Sequence, residues 1–189
     1  MAIDDQAAPL KPSLSMRQGG VVIGMALAVV STAVIYWLGL RPFGDGTLAD
    51  RLLVFATALI GPLLSLTIAV GLVANRRFFS PDDIDAAATP NPESHGIRLL
   101  RAILGNTLEQ AVLAIGAYAM LAILLPANHL ALPIALAAAF LKGRLAFALG
   151  YRFGAPARAL GFGLTFYPTL CALAYAALLA LSKVPGALL

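Results

Sequence analysis

Charge is scarce in this sequence. Only 12% of the 189 residues are Asp, Glu, Lys or Arg, while 60% are hydrophobic. A soluble domain carries about 25% charged and about 45–50% apolar residues. Too few charges remain to cover a water-facing surface, which excludes a disordered chain and most soluble enzymes. The single cysteine, Cys171, lies inside an apolar run, so no intrachain disulfide and no disulfide scaffold can form. Two histidines, His95 and His129, fall on separate loops and make no ligand set, so no metal is expected. Stretches of alternating polarity are missing too, and with them the strands of about ten residues that build a membrane barrel. No internal repeat is visible.

What the sequence does have is long apolar runs. The first, Val21 to Leu40, exceeds the ~7–15 apolar residues of a signal peptide and ends in Tyr36-Trp37 with Arg41 behind, an interfacial belt, so it reads as a retained helix. The second, Leu52 to Ala74, contains Gly61-Pro62, which membrane helices tolerate. The third runs from Ile97 to Leu125, the fourth from Leu130 to Tyr151, and the fifth from Ala157 to Leu181 with Pro168 inside. Each meets the ~20 residues needed to cross a bilayer. The expected architecture is an all-α integral membrane protein of five spans: a leader (1–19), a first helix (20–41), and a four-helix membrane domain (51–185) with a polar loop (75–97). In that loop, Ser80-Pro81-Asp82-Asp83 has the form of a capped short helix, with Pro first and acids near the positive dipole end. An unstructured acidic linker is the alternative.

The net charge of +4 does not indicate nucleic acid, because the cations sit at the ends of apolar runs rather than on one basic face. Their distribution sets orientation instead. With the N-terminus cytoplasmic, Lys11, Arg17, Arg76, Arg77, Arg98, Arg101, Lys142, Arg144, Arg152 and Arg158 fall on or near the inner side, and only Arg41, Arg51 and Lys183 fall outside. The positive-inside rule therefore expects N-terminus in and C-terminus out.

Polar residues inside the spans carry the functional information. On the third span, Arg98, Gly105, Glu109 and Gly116 share a direction at 100° per residue, with Arg101 and Asn106 flanking. Glu109 lies ~12 Å past Arg101 along the helix, where a bare charge costs about 2.5–3.5 kcal/mol. Arg144 reaches a matching depth from the antiparallel fourth span. Glu109 and Arg144 are therefore expected to face each other, within one protomer or between protomers. Arg144, Phe147 and Tyr151 share a face, and Lys142 projects elsewhere and snorkels. Such a group either forms a functional polar pocket or simply ties helices together. Gly20-Val21-Val22-Ile23-Gly24 is a weak helix-contact pattern. Tyr36 and Trp37 read as an interface belt, and Phe162, Phe166 and Tyr167 as packing or lipid contacts.

At Asn106-Thr107-Leu108-Glu109-Gln110 the sequence resembles the membrane-associated proteins in eicosanoid and glutathione metabolism (MAPEG). The resemblance runs from about Leu52 to Lys183, leaving Val21–Leu40 as an extra N-terminal helix. Asn106 and Glu109 match the family's Asn-x-x-Glu, and Arg76-Arg77 matches the basic pair after its first helix. Arg144, Gly150-Tyr151 and Arg158, followed by Gly161-Phe162-Gly163-Leu164-Thr165-Phe166-Tyr167-Pro168, are similar to bacterial members.

The resemblance implies a homotrimer in a bacterial inner (cytoplasmic) membrane. Glutathione, as co-substrate, would be held between protomers near the cytoplasmic face, and a lipophilic substrate would enter from the lipid. By position, it implies Arg158 as thiolate stabiliser with Tyr151 beside it, Arg76 and Arg77 as loop arginines near the site, and Arg101, Asn106, Glu109 and Arg144 as binding residues. The expected activity is transferase or peroxidase. Three departures mark the chain. Arg101 precedes Asn106 by five positions, where the family has Arg four before and this chain has Ala102. Phe147 stands where eicosanoid-pathway enzymes have tyrosine, and Gln110 replaces an aromatic. They keep a second expectation open, a non-catalytic membrane scaffold or lipid-binding protein. A transporter is disfavoured, because no paired broken helices mark a midplane site.

Overall fold

The computed structural model describes residues 14–84, 93–151 and 153–184, with the side chain of Asp82 left aside. Lys11, Arg152, most of the leader and the middle of the polar loop with Pro90 and Pro92 lie outside the described residues. The regular structure is all helix, with no strand among the described residues. The helices are α1 (Leu14–Gly39), α2 (Leu48–Phe79), the short α3 (Pro81–Ile84), α4 (His95–Leu124), α5 (Leu132–Gly150) and α6 (Ala155–Lys183). All but α3 are long and apolar enough to cross a membrane; the candidate span that includes α5 begins at the preceding 3-10 turn, Ala127–His129. The chain is a multi-pass membrane protein with lipid-contacting helices.

The helix starts follow local chemistry. Thr47 caps α2 in a reciprocal box: its side chain accepts from the Asp50 N–H (3.2 Å), and the Asp50 carboxylate accepts from the Thr47 N–H (3.0 Å). Ser94 caps α4 by accepting from the Ile97 N–H. The expected short helix exists as α3, and Pro81 opens it.

Helices α2, α4, α6 and α5 form a ring in which α2 packs on α4 and α5, and α6 packs on the same two. Across the ring, α4 and α5 meet weakly and α2 and α6 least of all. Between them lies the core of Val54, Ala58, Tyr118, Leu121, Leu136 and Phe140. Small residues set the approach distances. A Cβ at Gly61 would meet the Ala137 carbonyl oxygen at 2.1 Å, and one at Gly161 the Phe147 nitrogen at 2.2 Å.

Helix α1 packs outside the ring, on α6 and α5. The Gly20–Gly24 pattern does mark a helix contact: a Cβ at Gly20 would meet Pro156 at 2.7 Å, and one at Gly24 the Leu160 nitrogen at 3.0 Å. The Tyr36 hydroxyl donates to the Pro168 carbonyl (3.2 Å), giving this belt residue a structural partner. Trp37 remains exposed, with the Arg41 guanidinium 5.8 Å from its ring.

The two ends of the bundle are finished differently. At one, Arg51 Nη1 donates to the carbonyls of Ala122 (3.0 Å), Ile123 (2.9 Å) and Leu125 (2.9 Å), and Lys183 Nζ donates to that of Leu124 (3.0 Å). The orphan carbonyls that close α4 are thereby satisfied by cations, which also suit the negative end of the helix dipole. Arg17, Arg76, Arg77, Arg98, Arg101 and Arg158 gather at the opposite end.

Candidate functional site

Three groups of the expected residues are assembled by the fold. The deepest is Arg144, 5% exposed. Its Nη1 donates to the Asn106 side-chain oxygen (2.8 Å) and, less closely, to the Asn106 carbonyl (3.3 Å). Its Nε and Nη2 have no hydrogen-bond partner among the described residues. Arg144 also lines a slot of about 390 Å³ between α2 and α5, floored by Ile103 and Thr107 of α4.

Glu109 is not the acceptor for Arg144 within the chain, so the intraprotomer form of the expected pairing is corrected to Arg144–Asn106. Depth was matched, but azimuth decides the contact. Asn106 stands at the edge of the buried face of α4, and Glu109 lies 60° further round on the exposed side. Ala102, Gly105, Val112 and Gly116 share that exposed side, and nothing approaches the Cβ positions of Gly105 or Gly116 within 4 Å.

The second group is a ladder of rings and guanidiniums. Arg144 lies over the Phe147 ring (4.2 Å), and Phe147 meets Tyr151 edge to face (5.4 Å). Arg158 lies over the Tyr151 ring (4.6 Å). Spacings of three and four on α5 stack the first three residues. Gly154, with φ +91°, turns the chain so that Arg158 enters on the first turns of α6. A Cβ at Gly150 would clash with the Ala157 backbone, so this corner is closed tightly. A cavity of about 350 Å³ opens beside Tyr151 and Arg158.

The third group holds the loop arginines, and each has an acidic partner. Arg76 lies 3.5 Å from Asp83, Arg77 lies 3.9 Å from Glu93, and Arg101 pairs closely with Glu93. Arg98 donates to the Glu93 carbonyl. The helix α4 is uninterrupted across Ala102, so no bulge carries Arg101 towards Asn106. Lys142 is exposed, yet it lines the slot between α2 and α5 together with Arg144, so it does not project wholly elsewhere.

Neither Asp83, which the sequence places only in a short helix start, nor Glu93 is among the expected site residues. Asp83 is fully buried and accepts from the Ser94 hydroxyl (2.7 Å), the Ser94 N–H (3.0 Å) and the Ser80 hydroxyl (2.8 Å). These hydrogen bonds, led by those from Ser94 and helped by Arg76, hold its carboxyl down at about 2. The Ser80-x-x-Asp83 spacing was the available signal. It was readable as a cap, but not as a clasp across to Ser94.

A sequence model of the MAPEG family matches residues 52–178, well over half of the chain. Comparison with the curated proteins and with the solved structures returned no match.

Proposed function

The chain belongs to the MAPEG family, and on that premise we propose that it is a homotrimeric transferase or peroxidase of the inner membrane. It uses glutathione or a related thiol on lipophilic electrophiles, with its N-terminus in the cytoplasm. The family supports a glutathione-related or eicosanoid-related membrane function in general. The observation that carries the finer reading is the Asn106–Arg144–Phe147–Tyr151–Arg158 ladder, which runs from mid-helix to the arginine-rich end beside an open cavity.

The chemistry follows from the residues. A free thiol has a pKa of about 8.5, and a guanidinium beside it favours the nucleophilic thiolate. Arg158 supplies that charge, and Tyr151 beneath it fixes its orientation. In transfer, the thiol proton leaves to solvent, the sulfur bonds to the electrophilic carbon, and the leaving group departs as an anion. Arg144 keeps two donor groups for a ligand carboxylate, which a planar guanidinium binds well. Arg76, Arg77 and Arg101 lie at the entrance, and Asn106 positions Arg144. Glu109 sits where an uncompensated charge is costly. A homotrimer that buries the Ala102–Gly105–Glu109–Val112–Gly116 face between protomers relieves that cost and leaves Glu109 for a ligand's ammonium group.

Purified protein, glutathione and a hydrophobic aryl halide test the proposal. Wild type is expected to turn over above buffer, and Arg158→Ala to lose about 10²-fold or more, the scale of removing one transition-state charge stabiliser. Wild-type turnover equal to buffer would overturn the enzyme reading. The non-catalytic scaffold would then stand, a reading favoured by Phe147 lacking a hydroxyl and by Arg101 being engaged with Glu93.

A further inference from the structure

The extra helix α1 does more than cover α6. Its Gly20–Gly24–Ala28 stripe is in close contact with Pro156, Leu160 and Gly163, but the neighbouring stripe stands off and leaves three cavities in a row. The first, about 500 Å³, is lined by Met16, Arg17, Phe153, Pro156 and Arg158. The second, about 350 Å³, shares Ala155 and Arg158 with the first and runs past Val21, Met25 and Phe162. The third, also about 350 Å³, shares Tyr167 with the second and ends at Tyr36 and Cys171. The shared walls make them one groove. From Arg17 to Tyr36 it follows about 28 Å of helix, longer than one leaflet of a hydrocarbon core about 30 Å thick.

The groove is polarised. Arg17 and Arg158 stand at its mouth, neither with an acidic partner among the described residues. Beyond them the walls are mainly apolar to Tyr36, interrupted by Tyr151, Tyr167 and Thr32, whose hydroxyl is taken up by the Ala28 carbonyl. Two guanidiniums at the headgroup level over a narrow apolar channel complement one anionic group on one hydrocarbon chain. We propose that α1 and α6 bind a single-chain anionic amphiphile, its head on Arg17 and Arg158 and its tail along Val21 and Met25 towards Cys171. Binding needs no thiol chemistry. Its consequence for turnover rests on the function proposed above, since the head would then lie beside the residue assigned to the thiolate.

Cys171, the only cysteine of the chain, reports on the far end. The full-length protein in phosphatidylcholine nanodiscs, without glutathione, is alkylated with an apolar maleimide in the presence of palmitate or of hexadecanol. Palmitate is expected to slow alkylation, and hexadecanol to act about tenfold more weakly for want of the charge-assisted contact. Arg17→Gln should remove that difference, and Met25→Trp, which fills the groove midway, should abolish protection by palmitate. Equal protection by hexadecanol, protection surviving Arg17→Gln, better protection by a two-chain phosphatidic acid, or a Cys171 already unreactive beneath another copy would each overturn the proposal. Because glutathione is absent, failure here leaves the transferase reading intact. Absent turnover with intact protection removes only the enzyme.

Discussion

At the scale of single residues, the arginine-rich end is governed by two carboxylates. Asp83 has a depressed pKa, so its contribution to stability is complete above the ordinary carboxylate range and is lost as pH falls from about 4 towards 2. Thermal midpoints in detergent should fall for wild type across that window, and Asp83→Asn should be less stable at neutral pH and flat below it. A wild-type curve that tracks the variant throughout would contradict the clasp. Glu93 pairs with Arg77 and Arg101, and in the function proposed above a ligand carboxylate competes for those two guanidiniums. Glu93→Gln is therefore expected to tighten glutathione binding by a few-fold to about tenfold, measured by calorimetry, with the gain lost at high salt. The residues that carry these effects were hard to read because acids in a polar loop look alike in sequence. Only the fold tells Asp83, buried against Ser94, from its neighbours.

At the scale of elements, the spans were legible because lipid demands long uninterrupted apolar helices, and the ordering of Arg144, Phe147 and Tyr151 was legible because spacings of three and four align side chains. Contacts between helices were not. Matching depths of Glu109 and Arg144 followed from counting residues, whereas the rotation that gives Arg144 to Asn106 depends on how α4 is turned within the ring. The close glycine contacts illustrate the same limit, since a glycine in sequence does not announce its neighbour. Gly161→Ala forces a Cβ into the Phe147 backbone and should cost about 1–3 kcal/mol of stability. Gly71→Ala, with nothing within 4 Å, should instead gain up to about 1 kcal/mol from helix propensity. Equal effects in chemical denaturation would argue against tight α5–α6 packing.

For the whole molecule, the question is what covers α4. Its exposed Gly105, Glu109, Val112 and Gly116 recur at spacings of four and three, the seam of associating helices, with small residues that admit close approach. Gly116→Leu should leave the protomer folded, because that position is open, yet shift the proposed trimer to monomers on cross-linking. Unchanged trimers would place the contact elsewhere. Five spans also set the two described ends of the chain on opposite faces. The three cations that break the charge bias, Arg41, Arg51 and Lys183, each have a structural partner: the Trp37 ring for the first and the end of α4 for the other two.

That cationic closure of α4 reaches further. A helix whose last carbonyls are all occupied by Arg51, Lys183 and its own backbone needs no solvent to finish it. Headgroups can draw shut over that rim like a lid over a jar. The opposite end instead keeps the half-exposed guanidiniums of Arg76, Arg77 and Arg101 within reach of water.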